Sequence, residues 1–405
     1  MRKLMLLLAL GAVITSMTGC GKPYQEQVST EYLDAKNESH KNVISLSAAA
    51  VEKGSEYTVT DLRNLQDFLL VRETPDLSGK DYDLNNDDRW DVFDLCLMRR
   101  ELLRNNEVGG NNMNIPQTGY TEAVPAEYMS EADKKGSIVR LDYESEDYVR
   151  DGAAITKTAY VYTPYGYDES DTETRYNIIY LMHGWGGRAG EYFNFTTTKN
   201  VFDHMIENGD IPPMIIVSAT FYNENSSTDF SSSISEFRQF YLDFKDHLMP
   251  TVEGKFHTYA QSTSEEDLKA SRDHRAFGGF SLGSVTTWLQ FCHNYDYIRY
   301  FLPMSGSCWY YGTYGDFQTE NNVDFIEQLV KNEKLDERGY FIYATTGTRD
   351  NVKSQTVMQM EEMLKRDIFT PDHIVFYQKD GGYHDFNAVQ EYLFNALPLF
   401  FRNAE

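Results

Sequence analysis

Short apolar runs alternate with segments of helical spacing along the chain from about residue 125 onward. The apolar runs, typical of buried strands, cover residues 158–162, 178–182, 214–219, 274–280, 300–304, 340–345 and 374–377. The helical patterns cover residues 200–208, 234–252, 282–292, 352–366 and 386–401. Continuous apolar strands that alternate with helices predict a mostly parallel sheet with helices on both faces. The sequence therefore predicts an α/β domain over residues 125–405.

A glycine-rich turn stands where one predicted strand gives way to a helix. It reads Gly279-Phe280-Ser281-Leu282-Gly283, and it follows the apolar strand that ends at Phe280. Glycines on both sides of a serine permit a strained backbone and close strand-to-helix packing, which is the pattern of a nucleophile elbow. Ser281 is therefore the predicted nucleophile.

A second glycine-rich turn follows the predicted strand 178–182 and reads His183-Gly184-Trp185-Gly186-Gly187. Active sites of such sheets lie beyond the carboxyl ends of the strands, so this turn can point a backbone N–H at the nucleophile. We expect the N–H groups of Trp185 and Leu282 to form an oxyanion hole. His183 is expected to be a buried histidine that fixes the loop.

The loops after the last strands supply an acid and a base. His384 follows the strand 374–377, and its imidazole can take the Ser281 proton and return it to the leaving alcohol. Asp350 ends the preceding strand and is placed to orient His384, whereas Asp316 is a weaker alternative. The chain order Ser281, Asp350, His384 is that of an α/β-hydrolase.

The first residues have the pattern of an export signal. A basic start is followed by an apolar run too short to span a membrane and by Cys20 after Thr-Gly, which predicts a signal peptide over 1–19 and lipidation of Cys20. We expect an extracellular or cell-surface protein that touches the membrane only through this lipid. A net charge of −25 excludes nucleic acid as a partner.

A small repeated module precedes the α/β domain. The pattern around Asp61 recurs around Asp94, and such a repeat predicts paired units with a shared core. In the second copy, oxygen donors fall in the register of a calcium loop: Asp83, Asn85, Asp87, the Arg89 carbonyl, Asp91 and Asp94. The sequence predicts one calcium ion here and none for the catalytic chemistry.

Residues 55–105 resemble a type I dockerin, a calcium-binding module made of helices. The resemblance implies a cohesin-bearing scaffold as partner. Its first repeat carries Ala50, Glu52 and Gly54 at the ligand positions, so only the second is expected to bind calcium. The alternative to a dockerin is a helical pair that calcium stabilises and that serves only as a spacer. Residues 20–54 read as a polar tether and 106–124 as a linker.

Residues 125–405 resemble the putative-esterase family of carbohydrate esterases, and most closely the feruloyl esterase domains attached to cellulosomal xylanases. The matching segments are 125–128, 183–187, 271–281, 304–306, 309–310 and 396–401. The resemblance implies an α/β-hydrolase fold and cleavage of feruloyl esters from arabinoxylan without a cofactor. The family frequently has Met and Gly where this chain has Leu282 and Ser284.

The residues leave the substrate open. An acetyl-xylan esterase would use the same triad. A non-catalytic protein that binds polysaccharide while attached to a scaffold is the alternative that is not an enzyme. A feruloyl group needs a flat apolar slot, for which Trp309 and Tyr310 are candidates, although core packing explains them equally well. Residues 222–230 are a candidate lip of the cleft. Cys292 and Cys308 are expected at opposite ends of the sheet, too far apart to bridge.

Overall fold

The computed structural model describes residues 123–194 and 196–402, together with a few single positions between residues 61 and 98. Cys20 and the predicted calcium ligands lie outside the described residues; these ligands are Asp83, Asn85, Asp87, Arg89, Asp91 and Asp94. Among the described residues, no helix is both long enough and apolar enough to cross a membrane.

One sheet of eight strands organises the domain. Its strands are β1 (Ser137–Glu146), β2 (Ala154–Thr163), β3 (Asn177–Met182), β4 (Met214–Ala219), β5 (Arg275–Phe280), β6 (Tyr300–Met304), β7 (Phe341–Gly347) and β8 (Ile374–Lys379). They are arranged in the order β1-β2-β4-β3-β5-β6-β7-β8, and all pairs from β4 to β8 are parallel. The mostly parallel sheet predicted from the apolar runs is confirmed.

The edge strand β1 is absent from the prediction. It pairs with β2 in an antiparallel hairpin, and β2 in turn pairs antiparallel with β4. Its sequence alternates buried residues such as Leu141 and Tyr143 with exposed polar ones, because only one face of this strand meets the core. Such an alternating strand contains no continuous apolar run and is therefore not among the predicted strands.

Helices cover both faces of the sheet. They are α1 (Glu191–Asn194), α2 (Thr198–Glu207), α3 (Phe230–Asp243), α4 (Met249–Lys255), α5 (Glu265–Ala270), α6 (Leu282–Asn294), α7 (Thr319–Asn332), α8 (Leu335–Arg338), α9 (Lys353–Leu364) and α10 (Phe386–Ala396). Alternate strand residues enter two cores: Tyr180 and Val217 pack into one, and Ile179 and Ile216 into the other. Burial of both faces explains why the central strands are apolar throughout.

Two predicted helices are shorter in the structure. The pattern over 234–252 is divided between α3 and α4 by a π-helical turn at Phe244–Leu248. The last helix ends at Ala396, and a 3-10 turn at Leu397–Leu399 follows because Pro398 has no N–H to continue the α-helical ladder.

The two described cysteines correct a prediction. Their sulfur atoms lie only 3.9 Å apart in the buried core, so the expectation that Cys292 and Cys308 sit at opposite ends of the sheet is wrong. The chain does not stay at the carboxyl edge after β6. It runs back along α6 and brings Cys308 to the third turn of that helix.

Candidate active site

Ser281 occupies a strained turn between β5 and α6. Its φ is 59° and its ψ is −116°, a combination that costs energy for a residue with a Cβ. A Cβ on Gly279 would overlap the carbonyl of Gly283, and a Cβ on Gly283 would overlap the carbonyl of Met182 in β3. Both glycines are therefore needed for helix α6 to begin this close to the sheet. The strained strand-to-helix turn predicted at Ser281 is present in the structure.

The predicted acid and base lie in hydrogen-bonding contact. The Nδ1 atom of His384 is 3.0 Å and 3.1 Å from the two carboxylate oxygens of Asp350, and it must donate because a carboxylate only accepts. The ring of His384 packs against Phe280, with 4.4 Å between centroids, which places the imidazole next to the elbow. Because Nδ1 is held by Asp350, Nε2 is the nitrogen that can act as a base.

Asp350 is held as a carboxylate in the interior. The residue is 2% exposed, and burial alone would raise the pKa of its carboxyl group. The hydrogen bond from His384 and the one from the Val352 N–H, at 2.8 Å, outweigh burial, so the pKa of Asp350 lies below its usual range. A permanent negative charge beside Nδ1 stabilises the imidazolium that forms when His384 takes a proton.

Backbone contacts join the loop of Asp350 to the loop of His384. The Arg349 N–H donates to the Gly382 carbonyl at 2.9 Å, and the Gly381 N–H donates to the Thr348 hydroxyl at 2.8 Å. A Cβ on Gly347 would overlap the carbonyl oxygen of Gly382. These contacts fix the distance between acid and base, and no local sequence pattern predicts them because they join loops distant in the chain.

Hydrogen bonds of the buried His183 ring fix the turn that contains it. His183 is fully buried; its Nδ1–H donates to the Gly184 carbonyl at 2.7 Å, and its Nε2 accepts from the Thr220 hydroxyl at 2.7 Å. Burial lowers the pKa of His183 to about 4, so the ring is neutral. In a planar trans peptide, fixing the Gly184 carbonyl also fixes the Trp185 N–H in the opposite direction. His183 thus orients the predicted oxyanion donor.

The oxyanion turn lies against the nucleophile. A Cβ position built on Gly184 is 3.6 Å from the Ser281 Oγ. The Leu282 N–H belongs to the first residue of α6 and so lacks an intrahelical acceptor. Within this described turn, the Gly186 N–H already donates to the Tyr222 hydroxyl at 3.2 Å. The arrangement leaves the Leu282 and Trp185 N–H groups as the candidate oxyanion donors.

The two residues predicted to line an acyl slot are packed against other side chains. Trp309 is 1% exposed and donates its indole N–H to Gln355 at 3.0 Å, so it is a core residue. Tyr310 stacks on Phe325 at 3.9 Å and lies 5.5 Å from the ring of His293 near the far end of α6. Trp309 thus packs in the core, and its ring also lies 6.3 Å from that of Tyr314.

A different group of aromatic residues borders the cleft. Trp185 and Tyr314 are 56% and 57% exposed, and the ring of Phe230 lies between them at 5.6 Å from each. The indole N–H of Trp185 donates to the Thr228 carbonyl at 2.8 Å, which joins the oxyanion turn to the expected lip. Sequence reasoning missed Tyr314, although its position soon after the end of β6 was an available signal.

Comparison with known proteins places this site in a family. The family model described as "Putative esterase" matches residues 156–398. Endo-1,4-beta-xylanase Y of Acetivibrio thermocellus is 34% identical over 284 residues, which is 68% of this chain and 24% of that protein. An endo-1,4-beta-xylanase/feruloyl esterase of Xylanibacter ruminicola is 27% identical over 62% of this chain and 29% of its own length. The chain thus spans about a quarter of the length of these relatives.

Solved structures of feruloyl esterases also resemble this chain. A feruloyl esterase module from Clostridium thermocellum, complexed with sinapinate, is 33% identical, with a TM-score of 0.60, and the match covers 70% of this chain and 96% of that one. A ferulic acid esterase from the anaerobic fungus Anaeromyces mucronatus shares the fold at 17% identity and a TM-score of 0.55, over 71% of this chain and 99% of that one. The α/β-hydrolase-like fold and the matched residues show that this chain belongs to the putative-esterase family.

Proposed function

We propose that this protein is a serine carboxylesterase that removes hydroxycinnamoyl groups, such as ferulate, from plant cell-wall arabinoxylan. The observation that carries the proposal is the meeting of three chain segments at one point. Ser281 stands on its strained turn, and the His384 ring, held by Asp350, packs against the preceding Phe280. Such a constellation performs acyl transfer and needs no cofactor.

In the first half of the reaction, the Ser281 Oγ attacks the ester carbonyl carbon while Nε2 of His384 takes its proton. The carbonyl oxygen becomes an oxyanion, which accepts hydrogen bonds from the Leu282 and Trp185 N–H groups. Collapse of this intermediate breaks the bond to the sugar oxygen, and His384 returns the proton to the leaving sugar hydroxyl. The acyl group remains on Ser281.

In the second half, water takes the place of the sugar hydroxyl. Nε2 of His384 removes a proton from that water, which attacks the acyl carbonyl through a second oxyanion. The carboxylic acid leaves, and the proton returns to the Ser281 Oγ. Because Asp350 stays ionised throughout, it keeps Nδ1 protonated and holds the imidazole in the productive tautomer.

The aromatic border of the cleft supports an aromatic acyl group. Trp185, Phe230 and Tyr314 form a connected series of rings that starts at the oxyanion turn. A hydroxycinnamoyl group is planar and apolar, and it gains contact area and ring-to-ring interactions that an acetyl group does not. The names of the Xylanibacter ruminicola relative and the Clostridium thermocellum module favour the same substrate class.

We further propose that the chain is exported and held outside the cell. The support is the signal pattern ending at Cys20 and the dockerin-like segment 55–105, whose one calcium loop would present the enzyme to a cohesin-bearing scaffold. Lipid attachment at Cys20 is the second proposed anchor. Either anchor would place the esterase beside an insoluble substrate that cannot enter the cell.

The decisive experiment compares the wild type with Ser281→Ala on methyl ferulate and on acetylated xylan. We expect ferulate release by the wild type and a loss of at least about 1000-fold in Ser281→Ala, because only background hydrolysis remains. Ser170→Ala, which removes an exposed serine between β2 and β3, is the matched control. Acetate release without ferulate release would select an acetyl-xylan esterase. Equal release by wild type and Ser281→Ala at the background rate would contradict an esterase altogether.

A further inference from the structure

A second concave site lies outside the cleft that contains Ser281. It is a pocket of about 510 Å³ between the segment that follows β6 and the exposed side of α7. The side chains that define it belong to Tyr311, Asp316, Gln318, Asn321, Phe325 and Gln328. None of these residues takes part in the proposed acyl transfer, so the pocket requires its own explanation.

The chemistry of this pocket fits an uncharged ligand with many hydroxyl groups. Tyr311 is 45% exposed and meets the ring of Phe325 edge-on at 5.9 Å, which leaves a flat apolar face available for the C–H side of a sugar ring. Carboxylates and side-chain amides surround this face and can pair with hydroxyl donors and acceptors. Asp316 and Asp324 line the pocket, and Arg366, which pairs with Asp324 at 2.8 Å, is not among the lining residues, so the pocket favours a neutral ligand over an anionic one.

The wall of the pocket that carries Tyr311 is rigid. Asn322 is fully buried; its amide oxygen accepts from the Tyr311 N–H at 2.8 Å, and its amide nitrogen donates to the Tyr311 carbonyl at 3.0 Å. Arg238 of α3 donates to the carbonyls of Trp309, at 3.1 Å, and Gly312. A preformed wall lowers the ordering cost of binding, which is a property of binding sites more than of ordinary surface turns.

The position of the pocket suits a long substrate. The ring of Tyr310 lies 5.5 Å from that of His293, which is twelve residues along α6 from Ser281 and so roughly 18 Å from the nucleophile. The same segment then carries Tyr314 back to the aromatic border of the cleft. A ligand that fills both the cleft and the pocket must extend over several sugar units, whereas a small ester fills the cleft alone.

We propose that the pocket around Tyr311 and Phe325 binds the neutral xylan backbone at a distance from the ester that is cleaved. This inference rests on the proposed function, since it assigns the pocket to the same polysaccharide. Such a pocket would make the enzyme favour polymer-bound esters, because it adds affinity for the chain without contact to the acyl group.

The test measures binding of xylohexaose by calorimetry to the full chain carrying Ser281→Ala, which cannot turn over an ester. Adding Tyr311→Ala is expected to weaken binding about tenfold, and adding Gln328→Ala, on the exposed side of α7, about threefold. The matched control is Tyr165→Ala, a tyrosine that is 59% exposed and follows β2 at the opposite edge of the sheet. This control is expected to keep the affinity unchanged.

Unchanged affinity in both Tyr311→Ala and Gln328→Ala would overturn the proposal, as would an equal loss in Tyr165→Ala. Melting temperatures of the variants show whether each is folded, and the Gln328 variant decides the matter if Tyr311→Ala is not. Methyl ferulate hydrolysis by the chain with Ser281 intact is measured separately. Its failure would contradict the proposed esterase and leave the binding result standing, because methyl ferulate contains no sugar.

Discussion

Two histidine loops at the carboxyl edge of the sheet use the same side chain in opposite ways. His183 is fully buried, and both of its ring nitrogens are bonded, one to the Gly184 carbonyl and one to the Thr220 hydroxyl. The side chain of His384 is 23% exposed, and its Nδ1 is bonded to Asp350. A histidine with both nitrogens engaged is part of the framework, whereas one held by Nδ1 beside a nucleophile can exchange a proton.

The two loops also differ in how they are held. The His183 loop is fixed by a side chain that bonds its own backbone at Gly184 and is anchored to Thr220 after β4. The His384 loop is fixed by backbone contacts to the loop of Asp350. Catalysis needs both, since the first orients an oxyanion donor and the second sets the acid–base distance. Variants that damage one loop and spare the other separate these roles.

The largest effect is expected from Asp350→Asn. An amide in place of the carboxylate removes the negative charge and can present N–H to Nδ1, which favours the wrong tautomer of His384. We expect kcat on methyl ferulate to fall about 10,000-fold with little change in KM. Asp372→Asn, at an exposed carboxylate before β8, is the control. Near-normal activity of Asp350→Asn would show that another acid, with Asp316 as the sequence alternative, orients the base.

A smaller loss is expected when the contact between the two loops is disturbed. In Gly347→Ala the new Cβ would overlap the Gly382 carbonyl, so the loops of Asp350 and His384 must move apart. A displacement of about 1 Å in an active site can reduce the rate about 100-fold, and we expect a loss of that size in kcat. Gly209→Ala places a methyl group in open space at a positive φ, so it tests backbone strain alone and should leave kcat unchanged. Equal rates for Gly347→Ala and wild type would show that the contact does not set the acid–base geometry.

The sequence predicts the parts of the site that are encoded locally. The elbow at Ser281 is predicted from five consecutive residues, because the two glycines that permit its close packing each lie two positions from the serine. The order of Asp350 and His384 after Ser281 is also visible, since each follows an apolar strand whose end faces the same edge of a parallel sheet. Central strands are buried on both faces, so their apolar runs are easy to recognise.

What the sequence does not predict depends on the path of the chain between elements. Cys308 follows β6 directly, and nothing local indicates that the chain turns back along α6 to reach Cys292. The same turn buries Trp309 and leaves Tyr314 exposed beside Phe230, and the local pattern predicts neither outcome. Packing against distant segments decides where these side chains lie, and the periodicity within the segment does not indicate that packing.

The smallest predicted effect is a change in folding stability with pH that depends on His183. Burial lowers the pKa of His183 to about 4 from an ordinary 6.5, so below pH 6.5 the unfolded chain takes up a proton that the folded chain does not. Stability should therefore fall as the pH drops from 6.5 towards 4, by about 2 to 3 kcal/mol in total from this group. Urea unfolding at pH 7 and pH 4.5 measures the change, and His183→Gln, which cannot be protonated, should reduce the difference by that amount. His373→Gln, at the opposite edge of the sheet, should retain the wild-type difference. If His183→Gln loses as much stability on acidification as the wild type does, His183 is not the neutral framework residue that distinguishes its loop from that of His384.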